Sequence, residues 1–175
     1  LLNFYMLENS NDVNEKKYIL SEMMELFKST IYRQTMFSEF EEFIYDSYEN
    51  GTTLTNQLLC DKYYELNKLY FGNNIIVNDE IRYEWERVPH FYYNFYVYQY
   101  ATGLAAACYI VNRIRNNDKD AINDYLEFLK TGDSLDPVEE LKVAGVDMLN
   151  PEVINKAIDM FNDLIEQYKE IIRGE

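Results

Sequence analysis

From residue 14 to residue 48 apolar side chains return every three or four positions: Ile19, Met23, Leu26, Phe27, Ile31, Phe37, Phe40 and Ile44. That spacing predicts one long amphipathic helix with a single buried face. Gly51 is placed to end it in a left-handed turn. Thr55 can cap a second helix whose body reads NQLLCDKYYELNKLY. The stretch FGNNIIVND, with Gly72 and two adjacent asparagines, predicts a loop. Pro89 suits the first turn of the next helix, where its missing N–H does no harm. From His90 to about Arg115 the positions are apolar nearly all round, which predicts a helix buried on most sides. Asp118 and Gly132 bracket another helix, and Pro137 and Gly145 a short one. Asn150 and Pro151 open a last helix that runs to about Arg173, with Ile154, Ile158, Phe161, Leu164, Ile165, Tyr168 and Ile172 on one face. No stretch reads as a strand. The expectation is an all-α chain of six to seven helices.

Composition narrows what such a chain can do. It has 175 residues, 47% of them hydrophobic, which is enough for a sizeable core. Its formal net charge of −15 argues against a nucleic-acid backbone, which needs clustered Lys and Arg, and against an anionic membrane surface. Cys60 and Cys108 lie far apart in apolar helical patterns, without the spacing of a metal or redox pair, so both are expected to be free buried thiols of a reducing compartment. No basic leader precedes an apolar run at the start, and no apolar run is long enough to span a bilayer. The chain opens on Leu1 and on apolar, helix-like sequence, which reads as a piece of a longer protein.

The candidate chemistry lies in PHFYYNFYVYQYATG, residues 89–103, which contains the single histidine. On a helix turning about 100° per residue, Tyr93, Tyr96 and Tyr100 share an arc with His90. Phe91, Phe95 and Tyr98 fall on the other side. Phenols and an imidazole sorted in this way can line a cleft and donate hydrogen bonds to a developing oxyanion. The competing reading is a tyrosine-rich core, each phenol bonded to a backbone carbonyl. The pattern by itself leaves both open.

The same residues carry a resemblance. IYRQTMFSEFE (31–41), NDEIRYEWERVPHFYYNFYVYQYATG (78–103) and FLKTGDSLDPVEELKVAGVDM (128–148), in that order, resemble the C-terminal part of the oligoendopeptidase F family, which belongs with the thimet-oligopeptidase-like zinc metallopeptidases. The resemblance implies an almost wholly helical cytoplasmic enzyme with an internal channel that cuts short peptides. It also implies one zinc, held by an HExxH helix and a later Glu. This chain has no HExxH, and one His cannot supply two imidazole ligands. Residues 1–175 then correspond to the region downstream of the zinc site, one wall of a larger helical channel, with zinc in the parent enzyme and none expected on this segment. Alone, the segment is expected to be inactive. The resemblance implies catalytic roles for His90, Tyr96 and Tyr100, opposite the zinc, and a substrate-binding role for Tyr93. Short peptides are the implied partners, with no nucleic acid and no membrane. The alternative is an acidic all-α interaction module with the tyrosine-rich helix as its core.

Other residues have plainer readings. Arg33 and Gln34 interrupt an apolar stretch; a buried Arg needs a carboxylate partner, and a place on a channel wall is the alternative. Trp85 is expected to pack. Glu84 and Glu86 are expected to pair with Arg82 and Arg87. A metal site from Glu86 and His90 is set aside because Pro89 interrupts their helical face. A carboxylate-bridged di-iron bundle is excluded, since it needs paired Glu-x-x-His motifs.

Overall fold

The computed structural model describes residues 1–174. Among these there are eight α-helices and no strand: α1 Leu2–Asn9, α2 Val13–Phe27, α3 Arg33–Glu49, α4 Asn56–Phe71, α5 Tyr98–Arg115, α6 Ala121–Thr131, α7 Pro137–Val143 and α8 Glu152–Arg173. The all-α expectation holds, with slightly more helices than the sequence pattern predicted. The chain forms two compact bodies, one from Leu1–Lys28 with Thr102–Glu175, the other from Ser29–Ala101.

In the first body α2 packs on α8 and on α1, and α6 packs on α7. Phe27 stacks on Phe161 with ring centroids 5.2 Å apart. The buried line of α8 is Val153, Ala157, Met160 and Leu164. Of the apolar face expected for this helix only Leu164 is fully buried, while Ile154 and Ile172 are exposed. The apolar band of α8 is broad, and its centre lies about a residue away from the line of its largest side chains. Helix stops fall where small and special residues allow them. Gly132 and Gly145 both take positive φ, 61° and 74°, just past α6 and α7.

The second body holds the core that matters for the site. Met36, Phe37, Phe40, Leu59, Tyr63, Leu66, Val88 and Val97 form one buried cluster, with Trp85 and Phe91 packed against it. Phe40 meets Tyr63 at 5.0 Å and Phe91 at 5.3 Å between centroids, both edge-on. Such aromatic pairs are worth about 0.5–1.5 kcal/mol beyond their burial. Thr55 caps α4 as expected, its Oγ1 accepting the Leu58 N–H at 3.2 Å.

Two departures from the sequence pattern shape this body. The long helix expected over 14–48 is interrupted by a π-helical turn at Lys28–Tyr32. Buried positions step by four from Met23 to Phe27 to Ile31, then by five to Met36. A wide turn absorbs that extra residue. The Thr35 hydroxyl, donating to the Ile31 carbonyl at 2.7 Å, occupies one of the backbone acceptors at the turn.

The helix expected from His90 to Arg115 is not continuous. Two short 3₁₀ stretches, Asp79–Arg87 and Pro89–Tyr92, precede a turn, and α5 begins only at Tyr98. With three residues per turn, Trp85, Val88 and Phe91 fall in a line against the core.

Candidate functional site

The turn between the second 3₁₀ stretch and α5 is built on two consecutive left-handed residues, Asn94 at φ 54° and Phe95 at φ 59°. Asn enters this region readily, whereas Phe does so at a cost of about 1–2 kcal/mol. Two contacts offset that cost. The Phe95 N–H donates to Glu41 Oε1 at 2.6 Å. The Phe95 ring stacks on Tyr45 at 4.5 Å. Glu41 is 1% exposed, and its Oε2 has no hydrogen-bond partner. Burial raises its carboxyl above the ordinary range, and the bond from Phe95 only partly opposes this.

This turn, and not one helical face, gathers the residues singled out from the sequence. The His90 ring lies nearly parallel to Tyr96, with centroids 5.7 Å apart and planes at 18°. Tyr93 and Tyr100 meet the imidazole edge-on at 5.8 Å and 6.3 Å. The Tyr100 hydroxyl donates to the Tyr96 oxygen at 3.3 Å, a long bond. That bond, more than the slight burial of the ring, raises the Tyr100 phenol above its ordinary value. The Tyr96 O–H proton then points its donor capacity elsewhere, since its oxygen is the acceptor. All three tyrosines are exposed, so the reading of each phenol as a closed core group does not apply. Phe91 packs against the core, whereas Phe95, expected on the same side, is exposed.

A cleft of about 420 Å³ adjoins this cluster; its lining includes His90, Tyr100, Arg33, Gln34 and Arg87. Tyr93 and Tyr96 belong to the ring cluster but not to the cleft lining. A larger groove of about 630 Å³, lined mainly by apolar side chains such as Phe71, Ile75, Ile76 and Ile81, shares Arg87 with the cleft but contains none of the tyrosine–imidazole cluster.

Glu84, which lines the larger groove, holds two arginines of the cleft wall. Its Oε1 accepts from Arg33 Nη2 at 2.7 Å and from Arg87 Nη2, and its Oε2 accepts the Tyr63 hydroxyl at 2.8 Å. Burial alone would raise this carboxyl, but the bonds from Tyr63 and Arg33 and the nearby guanidinium charges hold it below the ordinary range. Arg33 therefore makes the ion pair expected of it and also lines the cleft. Glu84 pairs with Arg87 as anticipated. Arg82 turns instead to Asp61 and Asp79, and Glu86 accepts from Asn56. Glu41 was not singled out from the sequence. Its signal was legible: it lies four residues after Phe37 and three before Ile44, a charge on the apolar face of a helix.

The residues here do not fit a zinc centre. Among the described residues no three of His, Cys, Asp and Glu are grouped so as to hold a metal ion, and the ring neighbours of His90 are phenols. Nor is any helix among them long and apolar enough to cross a membrane.

Residues 2–160 match the model of peptidase family M3. The chain belongs to that family. Within it, oligopeptidase PepF of Bacillus subtilis is 46% identical over 172 residues, 98% of this chain and 26% of its own length. An oligoendopeptidase F homolog of Borreliella burgdorferi is 40% identical over 97% of this chain and 29% of its own length. The crystal structure of oligoendopeptidase-F from Enterococcus faecium superimposes with a TM-score of 0.96 at 42% identity, covering 99% of this chain and 33% of that one. The chain thus spans between a quarter and a third of the length of these M3 relatives.

Proposed function

We propose that this segment is the substrate-binding C-terminal part of a cytoplasmic zinc oligopeptidase that hydrolyses short peptides. The observation that carries the reading is the exposed cluster of His90, Tyr96 and Tyr100 beside a cleft, on a chain of family M3. The zinc belongs, in this reading, to sequence outside these residues. When bound it would activate water and polarise the peptide carbonyl. The segment's own residues have a separate task. Tyr96 donates its O–H to the carbonyl oxygen as it gains charge, Tyr100 turns its O–H from the long 3.3 Å bond to Tyr96 onto the same oxygen, and His90 hydrogen-bonds the peptide backbone and fixes its register. Tyr93 packs edge-on against His90 and holds the peptide rather than the reacting atoms. Such donors, already oriented before the reaction, favour the charge that develops in the transition state.

Apolar surface in the first body supports the reading that more chain covers this segment. Leu1, Leu2, Tyr5 and Met6 of the first helix and its approach are exposed, as are Ile122, Leu126 and Leu129 along α6. The last three recur at helical spacing, a stripe that a monomeric surface seldom leaves open.

The test is Tyr100→Phe in the full-length enzyme. The ring and its edge contact with His90 stay, and only the donor is lost. The expected result is a fall in kcat of roughly 10²–10³ with KM little changed, while residues 1–175 alone turn over no peptide. Wild-type constants in Tyr100→Phe would remove the hydroxyl from the mechanism.

A further inference from the structure

The charge around Glu84 does not balance. Two other arginines of this acidic chain each have two carboxylates. Arg113 holds Asp118 and Asp124, and Arg82 holds Asp61 and Asp79. Around Glu84 the ratio is inverted: two guanidinium groups share one oxygen of one carboxylate. Glu84 is 8% exposed while Arg87 is 74% exposed, so the anion is sunk in the wall and a cation stands in the open. Tyr63 donates to the other oxygen, and the single charge of Glu84 balances only one of the two guanidinium groups. The Arg33 guanidinium also lies over the Phe37 ring at 4.7 Å, which fixes its plane. With Glu84 held ionised, the three groups sum to one positive charge in a protein of net charge −15. That charge borders the cleft that His90 and Tyr100 also line.

We propose that Arg33 and Arg87 form a specificity subsite that binds a carboxylate of the peptide substrate while its backbone lies against His90 and Tyr100. The inference rests on the peptidase reading above and adds to it which peptides the site selects. A guanidinium suits this ligand because its planar N–H fork matches both carboxylate oxygens. Arg33 is pinned by its ion pair and by Phe37, so it supplies a fixed field. Arg87, exposed beside it, is the partner that turns to the ligand. The carboxylate can come from the peptide's C-terminus or from an acidic side chain, and the two sources are separable.

The experiment uses the full-length enzyme and three peptides of one sequence: with a free C-terminus, with a C-terminal amide, and with the amide plus one Glu in place of Gln. The expected wild-type result is a KM about tenfold lower for one of the two carboxylate peptides than for the neutral amide, at similar kcat. The peptide that gains identifies the source. In Arg87→Gln the three KM values converge on that of the neutral amide, and Arg87→Lys, which keeps the charge but not the fork, recovers only part of the preference. Arg87 is exposed, so these variants leave the core intact. Equal KM values for all three peptides in the wild type, or a preference that survives Arg87→Gln, would overturn the subsite while leaving the peptidase reading in place. An intact full-length enzyme that cleaves none of the peptides would overturn both.

Discussion

Arg113 and Glu84 are each the hub of a charged cluster, one in each body of the chain, and they are built in opposite senses. Arg113 is a cation whose Nε, Nη1 and Nη2 go to Asp118, the Ala144 carbonyl and Asp124. It ties the start of α6 to the end of α7, and its surroundings carry a surplus of negative charge. Glu84 is an anion with three donors, two of them cationic. A hub enclosed by its counter-charges has nothing left to offer a ligand. A hub with more cation than it can hold leaves charge standing at a cleft. Counting partners on each side of an ion pair therefore separates a structural cluster from one available for binding, although both begin as arginines beside carboxylates.

The largest effect is expected from Arg113→Met. The stem is kept, and two carboxylates and a carbonyl lose their donor. Hydrogen bonds to charged groups contribute about 1.5–3 kcal/mol each, and the partial exposure of both carboxylates lowers the total. A loss of about 3 kcal/mol in the local stability of α6 and α7, read as faster amide exchange, would bear out the closed hub. Unchanged exchange would show that Arg113 is dispensable there.

Glu84→Gln comes next, at about 2 kcal/mol, and its signature is a pH dependence. Glu84 is held below the ordinary carboxylate range, so the native state binds fewer protons than the unfolded chain. Its stabilisation is complete above about pH 4.3 and is lost as pH falls through the lower folded value. Amide exchange in α4 followed from neutral pH downwards should show an acid-induced loosening in the wild type that the Gln variant lacks.

The smallest effect belongs to Glu41, and its sign is reversed. Its carboxyl is held above the ordinary range by burial. Its contribution is therefore full below about pH 4.3 and declines as pH rises through the raised folded value. Glu41→Gln keeps an acceptor for the Phe95 N–H and removes the titrating proton. The turn at Asn94–Phe95 should then be more protected at neutral pH than in the wild type, by about 1 kcal/mol. A variant that loosens the turn at neutral pH would show that the charge itself holds it.

Most helix ends of both bodies were legible in the sequence from local signals, whereas the π-helical turn at Lys28–Tyr32 and the late start of α5 at Tyr98 were not. Thr55, Gly132, Pro137 and Gly145 mark ends that the structure keeps. The face of α8 was less legible, since Val153 and Ala157 are small and the eye follows the larger Ile154 and Ile158. The site was legible as a set of residues but not as a shape. His90, Tyr93, Tyr96 and Tyr100 do meet, yet no helical periodicity brings them together. Their meeting depends on a left-handed Phe95 whose N–H is satisfied by a carboxylate 54 residues earlier in the chain. Nothing within a short window of sequence encodes that contact. The π-helical turn at Lys28–Tyr32 was hidden for a related reason: a step of five between buried residues looks like a lapse in a period of three and four.

The two cysteines have a consequence for handling the protein at the bench. Cys60 lies in one body and Cys108 in the other, and both are buried. The Cys60 sulfur is met by the indole N–H of Trp85 at 3.5 Å, and burial pushes the Cys108 thiol up to about 11. Alkylating reagents need an accessible thiolate, so each sulfur is labelled only when its own surroundings open. Chain and reagent together therefore carry two built-in clocks. Mass spectrometry of a timed alkylation reads the opening of Ser29–Ala101 from Cys60 and that of the other body from Cys108, with no engineered label.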